Sequence, residues 1–125
     1  MQRLIAILLS AVVLLLGILA VENLRSSAAP HFDTPYQAVV LNNGSVYYGK
    51  LESPASMYPV LRDIFYVVRK ESSETRQLTN VLVRRGQELH GPDHMVLNRA
   101  SIVFIEPVRQ DSEIGKLIAQ ESKSK

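Results

Sequence analysis

Hydrophobic and polar positions follow three rhythms along this chain of 125 residues, and each predicts a different element. The first is no rhythm at all: Leu4–Val21 (LIAILLSAVVLLLGILAV) runs eighteen residues without a charge. As a helix it would span about 27 Å, close to the ~30 Å hydrocarbon core of a bilayer. The second rhythm is the short-period one of β structure. In Tyr36–Leu51 (YQAVVLNNGSVYYGKL) two β-prone runs flank Asn43-Gly44, a strong hairpin signal, and a type I′ turn is expected there. Val39 and Leu41 share one face, Ala38 and Val40 the other. Gly49 interrupts the second run, where a missing side chain marks a bend, a bulge or a close backbone approach. The third rhythm is helical: after Ser112 or Asp111 as N-cap, Ile114, Leu117 and Ile118 fall on one face of a short C-terminal helix.

Between these stretches, Glu52–Pro59 carries two prolines and predicts a loop. Val60–Arg69 holds five consecutive apolar β-formers, Ile64 to Val68, and predicts a strand covered on both faces. Lys70–Arg76 reads as a solvated connection, Gln77–Arg84 as a fourth strand, and Arg85–His94 as a loop with a Gly-Pro step. Met95–Leu97 and Ile102–Glu106 form either a hairpin or one long bent strand, ended by Pro107. The expected organisation is a transmembrane anchor over 1–25, a linker over 26–35, a mainly β domain of about five strands over 36–110, and a helix and tail over 111–125. The domain is expected to be a small, strongly bent β-barrel or sheet.

The apolar run places the chain on a lipid bilayer through residues 4–21. A cleaved signal peptide is the rival reading, with Arg3 as its basic region and Ser27-Ala28-Ala29 as a small-residue cleavage site. Signal cores run about 7–15 residues, and that site lies beyond the end of the run, so an uncleaved single-pass anchor is favoured. Arg3 and the terminal amine on one side against Arg25 on the other point to an N-terminus inside and a domain outside.

Charge and composition narrow the classes further. Removing Arg3, Arg25, Glu22 and Asp33 from the totals of 14 basic and 12 acidic residues leaves twelve against ten from Tyr36 onward. So balanced a domain is not a strong sequence-independent nucleic-acid binder, which would concentrate basic charge on one face. No cysteine is present, which excludes disulfides and thiolate metal sites.

In strand rhythm the chain resembles the Sm-like fold: an apolar strand, a polar-Gly turn, Val46-Tyr47-Tyr48-Gly49-Lys50-Leu51, and a closing MVLNRASIVFI. That family binds RNA through an Asp and an Asn in its first motif and an Arg-Gly pair in its second. Here ESPASMYP follows Leu51 and Asn98-Arg99-Ala100 stands at the later site, so the resemblance implies the fold and not the RNA site. The chain is also similar to a group of uncharacterised bacterial single-pass membrane proteins. The shared pattern is YQAVVLNNGSVYYGKL, LRDIFYV, ELHGPDHMVLNRASIVFIE and a helix near SEIGKLI. This resemblance implies an anchor in the inner (cytoplasmic) membrane carrying a short β-rich domain, and no activity.

Candidate chemistry is sparse. His90, Asp93 and His94 are the nearest approach to a metal site, but Gly91-Pro92 prevents a shared helical face, and a hydrogen-bonded loop is the plainer account. No Gly-x-Ser-x-Gly elbow or Gly-rich phosphate loop accompanies the serines or Arg84-Arg85. Tyr47, Tyr48, Tyr58 and Tyr66 can stack on bases or peptides, although alternate strand positions would send about half of them into a core. The favoured expectation is a non-enzymatic, cofactor-free module that binds a protein partner or self-associates. A membrane-tethered nucleic-acid-binding domain is the alternative, and a hydrolase or metal-dependent enzyme using His90–His94 the third reading.

Overall fold

The computed structural model describes residues 1–27 and 30–124, in two compact units, Met1–Pro30 and His31–Lys125. In the first, helix α1 spans Gln2–Ser27, running past the expected anchor into the expected linker. Its stretch Gln2–Leu24 is long and apolar enough to cross a membrane, a description a signal sequence also meets. Within it the Ser10 hydroxyl donates to the Ala6 carbonyl at 2.9 Å, so this polar group is satisfied by its own helix. The small-residue motif Ser27-Ala28-Ala29 lies in part outside the described residues.

The second unit is a six-stranded antiparallel sheet with a short helix. Its strands are β1 (Gln37–Leu41), β2 (Val46–Glu52), β3 (Val60–Glu71), β4 (Leu78–Arg84), β5 (His94–Val96) and β6 (Ile102–Pro107), followed by helix α2 (Glu113–Lys123). The order is β4-β3-β2-β1-β6, with β5 paired to β3 off that path. The path is open: β4 pairs with β3 alone and β6 with β1 alone, so the expected closure into a barrel is not found. The long strand β3 divides its two halves among partners. Val60–Arg62 lies between β2 and β5, and Phe65–Glu71 pairs with β4.

The hairpin β1–β2 forms as expected, with Val39 opposite Tyr47 and Val40 opposite Val46. Its turn is not type I′. The non-glycine residues with positive φ are Ser53, Asp63 and Arg76, so Asn43 does not share the left-handed region with Gly44 at φ 86°. Gly44 N–H donates to the Leu41 carbonyl and Leu41 N–H to the Ser45 carbonyl, both at 2.9 Å. This is a type I turn followed by a left-handed glycine, the three-residue hairpin loop. Asn42 N–H donates outward, to the Ser101 carbonyl at 2.8 Å.

Val39, Leu61, Ile64 and Leu97 make the buried core, with Leu41, Tyr47, Leu51, Met95, Ile102 and Ile105 packed around them. Gln37 is buried and polar, and it is satisfied: Nε2 donates to the Thr34 carbonyl at 2.6 Å and Oε1 accepts from Leu51 N–H at 3.2 Å. The segments Met95–Leu97 and Ile102–Glu106 form neither a hairpin nor a single strand. A 3-10 turn, Arg99–Ser101, capped by Asn98, carries the chain from β5 beside β3 to β6 beside β1. Helix α2 begins as expected, with Ser112 Oγ accepting from Gly115 N–H at 3.1 Å and Ile118 buried.

Candidate functional site

The site grows from a bend. Gly49 on β2 and Asp63 on β3 face the point where the register shifts between Tyr48 and Lys50. Asp63 has φ 50°, a left-handed conformation that Asp tolerates better than most non-glycine residues. Its carboxylate accepts from Arg84 Nη1 at 2.6 Å and from the Tyr36 hydroxyl, with the Asp63 and Arg84 side chains each about a quarter exposed. The Arg84 guanidinium lies 4.7 Å from the Phe65 ring centroid, and Tyr36 meets the same ring edge-on at 6.2 Å. Burial, and then the hydrogen bond to Asp63, push the Tyr36 phenol up to about 12. This network ties β3 to β4 and to the residue just before β1.

Past the bend, β2 and β3 separate. Their pairing runs from Glu52–Val60 to Tyr48–Phe65 and stops. From there β2 stays with β1 and β3 with β4. The wedge between them is a cleft of about 560 Å³ lined by Tyr47, Tyr48, Tyr66, Val46, Val67 and Arg69, with Gly44 and Ser45 at its end. Tyr47 and Tyr66 meet edge-to-face, their centroids 6.4 Å apart at 67°. The Arg85 guanidinium sits 5.9 Å from the Tyr47 ring, and desolvation by burial raises the Tyr48 phenol.

Backbone groups point into this cleft as well. Antiparallel ladders alternate between residues bonded to one neighbour and to the other. Arg85 N–H donates to the Ile64 carbonyl, so Tyr66 and Val68 turn their backbone groups to β4, and Phe65, Val67 and Arg69 turn theirs away from it. Phe65 meets Tyr48; Val67 and Arg69 have no strand partner on that side. By the same alternation from the Leu41–Ser45 pair, Val46 turns its N–H and carbonyl away from β1, into the cleft. Arg69 also stands outside every ion pair found among the described residues.

Of the residues singled out from sequence, Tyr47, Tyr48 and Tyr66 come together here. Tyr58 does not: it is 61% exposed in the β2–β3 loop. Asp93 and His94 bond to each other, which lowers the Asp93 carboxyl, and no group of three His, Cys, Asp or Glu among the described residues could hold a metal. Asp93 instead borders a separate cleft of about 470 Å³ with Asp63, Arg84 and Arg85. The Arg85–His94 loop is ordered around Glu88, which accepts from Gly86 N–H at 2.8 Å and from Arg85 Nε at 3.0 Å. The Gly86 bond is the largest cause holding the Glu88 carboxyl down at about 2.

Sequence reasoning missed Asp63, Arg84 and Tyr36 as a unit. The available signal was the lone Asp63 inside the apolar LRDIFYVV, a residue type that accepts positive φ where its neighbours do not. No family model and no curated relative matches the chain.

Proposed function

We propose that this chain is a membrane-anchored, non-enzymatic β module that binds a protein partner, or a second copy of itself, through the tyrosine-lined cleft between β2 and β3. One observation carries the reading: three tyrosines and unpaired strand backbone converge on one accessible wedge. Open strand edges pair readily with another chain, and tyrosine supplies large contact area at low entropic cost. The helix Gln2–Leu24 is read as an uncleaved anchor in the inner membrane, N-terminus inside and domain outside. The bend at Gly49 and Asp63 supports a distant kinship with small curved Sm-like or SH3-like folds, and the layout suits the bacterial single-pass group; the open sheet lends no support to a closed barrel. A nucleic-acid role is the second reading, favoured by tyrosines beside the unpaired Arg69 and opposed by the near-balance of charge.

A photo-crosslinking residue placed at Val46 in the full chain, in its own membrane, tests the choice. Discrete protein adducts or a crosslinked dimer at Val46, absent when the residue stands at Glu113 on α2, are expected. RNA-containing adducts would transfer the cleft to the second reading. Equal or absent adducts at both positions would end the proposal.

A further inference from the structure

We infer that the cleft takes an extended, acidic peptide segment of its partner as an added strand on the open edge of β3, with backbone bonds to Val67 and Arg69 and a carboxylate on the Arg69 guanidinium. This inference rests on the reading of the cleft as a protein-binding site and names what enters it.

Of the two strands that end the sheet, β6 is protected on its open edge. On β6 the pairing slips between Val40 and Leu41, leaving Val103 without a partner, and the strand ends in Glu106-Pro107. A bulge, a charge and a proline are the devices by which sheets refuse additional strands. The edge of β3 facing the cleft has no bulge or proline from Phe65 to Glu71, and the charge it carries beside the cleft, Arg69, is one that a guest carboxylate can pair. Val67 and Arg69 each present an N–H and a carbonyl there, two residues apart, a spacing of about 7 Å along a strand. A peptide backbone offers donors and acceptors at the same repeat. A nucleic-acid backbone offers phosphate acceptors and, in RNA, a 2′-hydroxyl on each ribose, but not the paired N–H and carbonyl that match Val67 and Arg69 at the strand repeat.

The alternation of side chains then specifies the guest. Val67 and Arg69 share one face of β3, the face of Phe65, while Tyr66 lies on the other beside Tyr47. Antiparallel addition is the stronger pairing. In the guest's own direction, it puts one residue opposite Arg69, the next opposite Val68 on the face that carries Tyr66, and the third opposite Val67. Arg69 has no acidic partner among the described residues, so the first is Asp or Glu. The second is apolar. The third, cross-strand from Val67, is β-branched.

A random octapeptide display library panned on the full chain in nanodiscs tests this. Peptides carrying acidic, apolar and β-branched residues in that order should be enriched over empty nanodiscs. Because Arg69 is exposed, Arg69→Glu leaves the fold intact. It should weaken the selected peptides about tenfold or more and shift selection to Lys or Arg at the first position. N-methylation of the residue opposite Val67 should abolish binding. No enrichment, an acidic preference that survives Arg69→Glu, tolerance of N-methylation, or displacement of selected peptides by ribo-oligonucleotides would each overturn the inference. If panning fails while Val46 still crosslinks to a protein, the added strand is wrong and the binding-module reading stands. If Val46 yields no specific adduct either, both are wrong.

Discussion

Gly49 passes so close to Arg62 that a Cβ on it would lie 2.8 Å from the Arg62 carbonyl oxygen, and equally close to Leu61 Cγ. One neighbour is backbone and the other is fully buried in the core, so neither can move aside cheaply. Gly49→Ala is therefore expected to destabilise the β domain by about 1–3 kcal/mol, the usual range for overpacking. Denaturant unfolding of the full chain in micelles measures it. An unchanged midpoint would show that β2 and β3 are held apart at the bend.

At Gly44 the strain is in the backbone rather than in the space. Nothing lies within 4 Å of a Cβ there, but φ is 86°. Gly44→Val should lower stability by roughly 1–3 kcal/mol, while Gly44→Asn, a residue tolerant of the left-handed region, should lose distinctly less. Equal losses for the two would place the cost elsewhere than in φ.

How much of this was legible follows from how local each feature is. The hairpin and helix α2 rest on neighbours in the chain: Asn43-Gly44 between β-formers, and Ser112 ahead of Ile114, Leu117 and Ile118. Even there the turn type was not legible, and the loop also engages a distant group, the Ser101 carbonyl that takes Asn42 N–H. Closure of the sheet depends on how far β3 turns, and that is set by Gly49 and Asp63 meeting across two strands. Residue type points to Tyr47, Tyr48 and Tyr66, and equally to Tyr58 and His90. Register then decides among them. Val46, Val67 and Arg69 are ordinary strand residues whose place in the cleft comes only from where the β2–β3 ladder stops.

Tyr36 makes a prediction in alkali. Its phenol is raised to about 12 in the folded protein, by burial first and then by the bond to Asp63, against ~10 when unfolded. Between those values the unfolded chain gives up a proton that the folded one keeps. This part of the stability is complete below pH ~10 and is lost as pH rises towards 12. The denaturation midpoint of the native chain should fall more steeply over that window than that of Tyr36→Phe. In a phenolate absorbance titration, Asp63→Asn should bring one late-ionising tyrosine earlier without fully normalising it, since burial remains. Identical alkaline slopes for the native chain and Tyr36→Phe would remove Tyr36 from the network.

If the helix Gln2–Leu24 is the proposed anchor, the side of the membrane on which the domain stands bears on the proposed partner, because a domain outside the inner membrane does not routinely meet RNA. Trypsin added to that outer side of opened cells should reach the β3–β4 turn first. Lys70 and Arg76 are exposed there, and the turn is held by two backbone bonds, Arg76 N–H to the Ser72 carbonyl at 2.8 Å and Ser72 N–H to the Gln77 carbonyl at 3.0 Å. Hairpin tips of this kind open locally far more often than core strands. The Arg85–His94 loop, although similar in length and polarity, should be cut later. Its Arg85 is pinned by Glu88 at 3.0 Å and by Met95 Sδ at 2.9 Å. Early fragments ending at Lys70 or Arg76 would place the domain outside and favour a protein guest in the cleft. Full protection until detergent is added, followed by the same fragments, would place it inside and bring the nucleic-acid reading level with the first.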